Sequence, residues 1–224
     1  MPTLLLTGAA GNLGLFVTDY FLSKGWHVHA ACRTDIDAER LPVHSHLSSS
    51  IRNLSEESEV EVLFIEAGDI HAVVHLVGGI EAGISFSETP IGVFESMIQL
   101  NTRTTFLVIR QALRSLQSGG SIVTIGAKAA LLPVENKSCY AAAKAASISL
   151  TMTAAEEGKS KNIRANVIVP GIIRTAANLE WASNGEENSW TLPVDIASAI
   201  YLLCSDNSKG ISGAVIPMYG KLPT

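Results

Sequence analysis

Residues 4–25 read LLLTGAAGNLGLFVTDYFLSKG. The apolar run Leu4 to Leu6 ends at a glycine-bearing turn, beyond which Leu13, Phe16, Val17, Tyr20 and Phe21 recur at helical spacing, so the stretch reads strand, tight turn, helix. Within the turn, Gly8, Gly11 and Gly14 stand three apart. Glycine at such a junction permits the turn, lets backbone approach a pyrophosphate and lets the helix pack close to the sheet. The free N–H groups of the helix N-terminus then face the anion. A lone glycine pattern is a weak signal; its place at the first strand-turn-helix is the context that dinucleotide binding requires.

The alternation continues outward. Trp26 to Cys32 reads as a second strand, SEESEVEVLFIEA as a helix with Ser55 as its N-cap, and AVVHLV as an apolar strand closed by Gly78 and Gly79. A long helical region follows from Ile91 to Leu116, then the strand SIVTIG, the Ala-rich helix SCYAAAKAASISLTMTAAEEG and the strand IRANVIVPG stopped by Pro170. Pro193 to Leu203 reads as a last helix and SGAVIPM as a last strand. Strands apolar throughout and separated by helices are buried on two faces, which predicts an α/β fold, a doubly wound parallel sheet of Rossmann type. Residues 1–224 read as one domain, with a candidate substrate loop near 174–191 rich in Asn, Glu, Ser and Trp.

Composition narrows the function classes. The hydrophobic fraction is 47% against 17% charged, enough for a large core. A net charge of -5 and 16 scattered basic residues give no positive field for nucleic acid or an anionic membrane. The short N-terminal apolar run is not a signal-peptide pattern, and no run approaches a bilayer-spanning length. Cys32, Cys139 and Cys204 stand far apart, which suits a reducing compartment, and the expected location is cytoplasmic. The pairs His27 with His29 and His44 with His46 lack acidic or cysteine partners at metal-ligand spacing, so no metal is expected. His71 and His75 flank an apolar strand as core or edge residues, and Lys128 reads as a solvated or ribose-facing charge.

Arg33 follows the second strand directly, nineteen residues after Gly14. An arginine there accommodates a 2'-phosphate, favouring NADPH; Asp35 is near enough to be a ribose ligand instead, which keeps NADH open. Tyr140 and Lys144, four apart on a helix, share one face. An ammonium beside a phenol lowers the phenol pKa, so the pair can exchange a proton with a reacting atom near neutral pH. An ordinary surface Tyr and Lys would show the same spacing.

Taken together, TGAAGNLG at 7–14, Asn101 in QLNTRTTF, YAAAK at 140–144 and VPGIIRT at 169–175 resemble the short-chain dehydrogenase/reductase family over nearly the whole chain. The resemblance implies that Gly8, Gly11, Asn12, Leu13 and Gly14 hold the cofactor pyrophosphate, that Asn53 lies near the adenine, and that Gly78 and Gly79 lie beside the adenosine ribose. It implies Tyr140 as acid/base, Lys144 as its activator and ribose ligand, and Asn101 as support for a proton relay through water. Pro170, Gly171, Ile172 and Thr175 match the nicotinamide-carboxamide loop, and the Ala-rich helix implies a homodimer or homotetramer.

One position departs from the family pattern. The serine usually found thirteen residues before the tyrosine is Ala127 here. An oxyanion donor of that kind is worth about 3 kcal/mol where it acts. GAKAALLPVENKSCYAAAK resembles the dihydropteridine reductase branch, which has the tyrosine-lysine pair without the serine, and SWT at 189–191 is similar too. The branch implies a quinonoid dihydropterin as the small-molecule substrate, although Arg33 and Ile80 differ from its pattern. Trp181 and Trp190 could wall a flat ring or pack on their own domain. Three readings follow: a reductase of a quinonoid dihydropteridine or similar flat acceptor, a short-chain reductase of another carbonyl, and a non-catalytic dinucleotide-binding sensor.

Overall fold

The computed structural model describes residues 1–222. In chain order the elements are β1 (Thr3–Thr7), α1 (Gly14–Ser23), β2 (His27–Cys32), α2 (Asp35–Glu39), β3 (Leu47–Ile51), α3 (Glu57–Ala67) and β4 (Ala72–His75). They continue with α4 (Ile91–Met97), α5 (Thr104–Ser115), β5 (Ser121–Ile125), α6 (Ser138–Glu157), β6 (Arg164–Pro170), α7 (Ala176–Leu179), α8 (Pro193–Cys204) and β7 (Val215–Met218). The seven strands form one sheet in the order β3-β2-β1-β4-β5-β6-β7. Every pairing is parallel, so the doubly wound α/β expectation holds.

The leucine run shows why the sheet is covered twice. Successive strand side chains point to opposite faces. Leu4 and Leu6 join Val17, Phe21, Ile196 and Ile200 of α1 and α8, whereas Leu5 joins Leu63, Phe64, Val108 and Ala112 of α3 and α5. All three leucines are fully buried. The order reverses at β1, which has β2 on one side and β4 on the other. Connections leave that point toward opposite faces and open a crevice at the carboxyl ends of the strands.

Three local readings differ from the sequence expectation. β3 and α2 were not foreseen. Residues 47–51, LSSSI, show no apolar run because β3 is an edge strand, and Ser48 and Ser50 take hydrogen bonds with His27 and His29 at 2.8–3.0 Å. Those imidazoles therefore serve the sheet edge. Ser55 is not an N-cap: the N-cap of α3 is one residue later, Glu56, with no side-chain cap bond, and the Ser55 carbonyl instead accepts from Arg103 at 2.9 Å. Finally, the helical region from Ile91 onward is interrupted at Ile98–Arg103 by a π-turn, which holds Asn101.

Phe21 is fully buried and meets Trp26 and Tyr201 edge-on, with ring centroids 5.2 and 5.4 Å away. Phe21→Ala is expected to cost about 3–5 kcal/mol, read as a lowered urea midpoint at unchanged slope. A loss under about 1 kcal/mol would mean that this face of the sheet is loosely packed.

Candidate active site

The crevice at the end of β1 and β4 is flanked by two hollows that share the segment 76–79 as a wall. One, of about 420 Å³, is lined by Gly8, Gly11, Arg33, Arg40, Arg52, Asn53 and Val77 among others. The other, of about 550 Å³, is lined by Leu76, Gly78, Gly79, Ile80, Ala127, Lys128, Lys137, Tyr140, Lys144, Pro170, Gly171, Ile172 and Trp181 among others. Residues far apart in sequence thus meet because the parallel sheet delivers every strand's carboxyl end to one edge.

The glycine turn has the form an anion needs. Leu13 stands at the N-cap of α1 and gives no side-chain cap bond, so no side chain of its own caps the first-turn amides. Those amides and the positive end of the helix are a ready anion site. Gly14 is held to glycine by sterics: a Cβ there would collide with the carbonyl oxygens of Gly8 and Ala9. These features fit a dinucleotide pyrophosphate. Of the residues assigned to it, Gly8 and Gly11 line the first hollow, whereas Asn12 is exposed, Leu13 packs against the α1–α8 core and Gly14 is buried.

On the other side, α6 presents Tyr140 and Lys144 one turn apart. The Lys144 ammonium donates to the Ile125 carbonyl at 3.0 Å, at the end of β5, and burial draws its pKa down to about 8. It also passes under the chain at Gly78, where a Cβ would lie 2.7 Å from both the Lys144 Nζ and the Asn101 Oδ1. A side chain at 78 would therefore displace the Lys144 ammonium or the Asn101 amide. Asn101, fully buried, accepts from the Gly79 N–H at 3.1 Å and donates to the Gly79 and Met97 carbonyls at 3.0 and 3.1 Å. Its own carbonyl accepts the Thr105 and Ser147 hydroxyls at 2.6 and 3.0 Å. Asn101 therefore positions the 78–79 wall and lines neither hollow.

One expectation is corrected here. The Tyr140 phenol is pushed up to about 12 by burial, rather than lowered by the ammonium. Desolvation of the phenolate dominates, and the ammonium is turned to the Ile125 carbonyl. The Tyr140 phenol thus keeps its proton at neutral pH. His75 beneath the site is held neutral, down to about 3, by burial and Lys144, and bonds the Thr7 hydroxyl at 2.8 Å.

At the far wall, Pro170, Gly171 and Ile172 line the second hollow, but Thr175 does not: it caps α7, accepting from the Asn178 N–H. The 174–191 segment carries α7 and a short 3-10 turn, and is tied at its root by an Ile173–Thr191 bridge. Trp190 is buried and stacks at 4.9 Å on the exposed Trp181, which faces the hollow. Arg40 and Lys137 were missed in the sequence. The Thr34 to Asp37 capping box, which starts the short helix carrying Arg40 back over the sheet, is a signal that could have found the first.

Residues 8–220 match the family described as Enoyl-(Acyl carrier protein) reductase. The chain is 26% identical to 2-(R)-hydroxypropyl-CoM dehydrogenase of Xanthobacter autotrophicus, with 96% of each chain covered. It is 27% identical to 7alpha-hydroxysteroid dehydrogenase of Bacteroides fragilis, over 98% of this chain and 93% of that one. Among solved structures it is similar to ElxO with NADP bound, at a TM-score of 0.91 and 26% identity, covering 98% and 97% of the two chains. A Tyr-to-Phe variant of ElxO has NADPH bound.

Lys144 carries a measurable signature. Its pKa falls on folding from 10.5 to about 8, so between those values the unfolded chain holds a proton that the folded chain has released. Stability from this site therefore rises with pH through that window, and the cost of the buried charge is complete below about pH 8. Urea midpoints of wild type and Lys144→Met, compared from below pH 8 to above it, are expected to shift in favour of wild type as pH rises. A constant difference would mean that the ammonium is not desolvated.

Proposed function

The chain belongs to the short-chain dehydrogenase/reductase family and is an NAD(P)-dependent oxidoreductase; we propose that it is a reductase that uses NADPH and takes a small flat acceptor in the second hollow. NADPH, when bound, supplies the hydride. The observation that carries the reading is the opening of Tyr140 and Lys144, from one face of α6, into a hollow that adjoins the glycine turn across the 76–79 wall. Tyr140 holds the proton that the acceptor takes up. Lys144 places a cation beside the wall, and Asn101 fixes that wall. A sensor that only bound dinucleotide would have no use for this proton donor.

Preference for NADPH is supported by Arg33 and Arg40, which line the first hollow and enter no ion pair among the described residues. Asp35, the alternative ribose ligand, does not line it, and the Asp37 carboxylate is taken up by the Thr34 cap. Ala127 favours an acceptor that is already polarised, a quinonoid dihydropteridine first and another carbonyl compound second, because the position lines the second hollow without a hydroxyl. The exposed Phe106 and Met152 on α5 and α6 support assembly as a homodimer or homotetramer. Three free cysteines support a cytoplasmic location. No helix among the described residues is long and apolar enough to cross a membrane.

With quinonoid dihydropterin as acceptor, NADPH oxidation is expected to fall at least about 100-fold in Tyr140→Phe while NADPH binding, followed by nicotinamide fluorescence, is retained. Full turnover in the variant would remove Tyr140 from the mechanism. Arg33→Ala is expected to weaken NADPH about tenfold and leave NADH unchanged. Equal losses for both nucleotides would overturn the 2'-phosphate role.

A further inference from the structure

The geometry points to an anionic substrate: a small carbonyl-type acceptor bearing a carboxylate or similar acidic group, held by Lys128 and Lys137. This deepens the reductase reading of the second hollow and rests on it, and within that reading it favours the second acceptor class, a carbonyl compound, over the uncharged dihydropteridine. The chain has 21 acidic against 16 basic residues, yet among the described residues the second hollow is lined by three lysines and by no aspartate or glutamate. Glu135, two residues from Lys137, lies in the same loop and is exposed outside the lining.

The remaining lining is largely apolar, with Ile80, Val134 and Trp181 among it, and low-dielectric walls focus the field of such charges on a bound anion. Lys144 is committed to the Ile125 carbonyl. Lys128 and Lys137 line the same hollow as Ala127 and Tyr140. Lys128 follows Ala127 directly and has partners of its own, its ammonium lying over the Tyr219 ring at 5.0 Å from the centroid, which keeps it at the hollow's edge. Lys137 occupies the N-cap of α6, three residues before Tyr140, and gives no side-chain cap bond. Lysine is a poor N-cap and repels the positive helix end, a cost that a bound anion beside it would offset. An acceptor carrying its charge at one end and its carbonyl at the other would be oriented by these ammonium groups, a role that polar contacts with an uncharged acceptor would fill less selectively.

The test compares two isosteric ketones, 4-acetylbenzoate and 4-acetylbenzamide, titrated calorimetrically into the protein loaded with NADP+. The carboxylate is expected to bind about tenfold tighter, with the advantage shrinking in about 0.5 M NaCl. Lys137→Ala and Lys128→Ala should each remove most of that preference, leaving amide and NADP+ affinities unchanged, and Lys137→Arg should keep it. Thermal unfolding of each variant reports whether it folds, and Lys137→Gln repeats the charge removal in a conservative form. Equal affinity for the two ketones, no binding of either at millimolar concentration, or equal loss of both in the lysine variants would overturn the inference. Failure of wild type to bind NADP+ at all would instead strike the dinucleotide reading beneath it.

Discussion

A buried ammonium organises the reacting end of this molecule. Removing a lysine from water is costly unless its charge is met, and here a backbone carbonyl, that of Ile125, accepts from it. To reach that carbonyl the side chain runs so closely under the β4 exit that a Cβ at residue 78 would press on its ammonium. The wall thus left without side chains is fixed by Asn101, and Asn101 is held in turn by hydroxyls of Thr105 and Ser147. Thr102 adds a bond to the Ala143 carbonyl at 3.1 Å. Tyr140 inherits its position from α6, which these contacts clamp to the π-turn. The depressed lysine pKa reflects the incomplete compensation of its charge, and leaves a cation with a strong demand for a further polar partner on the open side of the wall.

Charge is divided between the two hollows in a way that opposes the whole chain. Arginines line one and lysines the other, while the protein carries a net charge of -5. Several surface cations are neutralised locally: Arg110 by Glu57, Lys159 by Glu156 and Lys209 by Asp206. Salt screens such exposed pairs and they contribute little to stability. The cations that line the two hollows bias encounter toward anions at the crevice.

Much of the architecture was legible because buried parallel strands are apolar throughout. Leu4 to Leu6, Ala72 to His75 and the β6 run could be read without any partner. β3 could not, since an edge strand satisfied by imidazole-serine bonds carries no apolar periodicity. At the site, the glycine turn and the Tyr140–Lys144 spacing were visible as local patterns. Asn101 was found by resemblance, but its bonding to Gly79 depends on a π-turn whose extra residue leaves no mark in composition. The phenol pKa was misjudged because spacing reports adjacency and says nothing of desolvation, which here acts in the opposite sense. The cap that Thr175 gives α7 was not foreseen for a similar reason: a hydroxyl at a loop's start can serve a helix cap as readily as a ligand.

The π-turn at residues 98–103 has a bearing on how this chain can change length. A π-turn is an α-helix that has accommodated one additional residue, and each residue of an α-helix advances the surface by about 100°. Deleting one position between Met97 and Thr104 would let the backbone become regular, yet it would rotate α4 against α5 by roughly that angle and swing either Asn101 or the Met97 carbonyl out of register. A shortened chain would gain helix regularity and lose the support under its wall. Length in this helix is therefore fixed by the needs of a neighbouring loop.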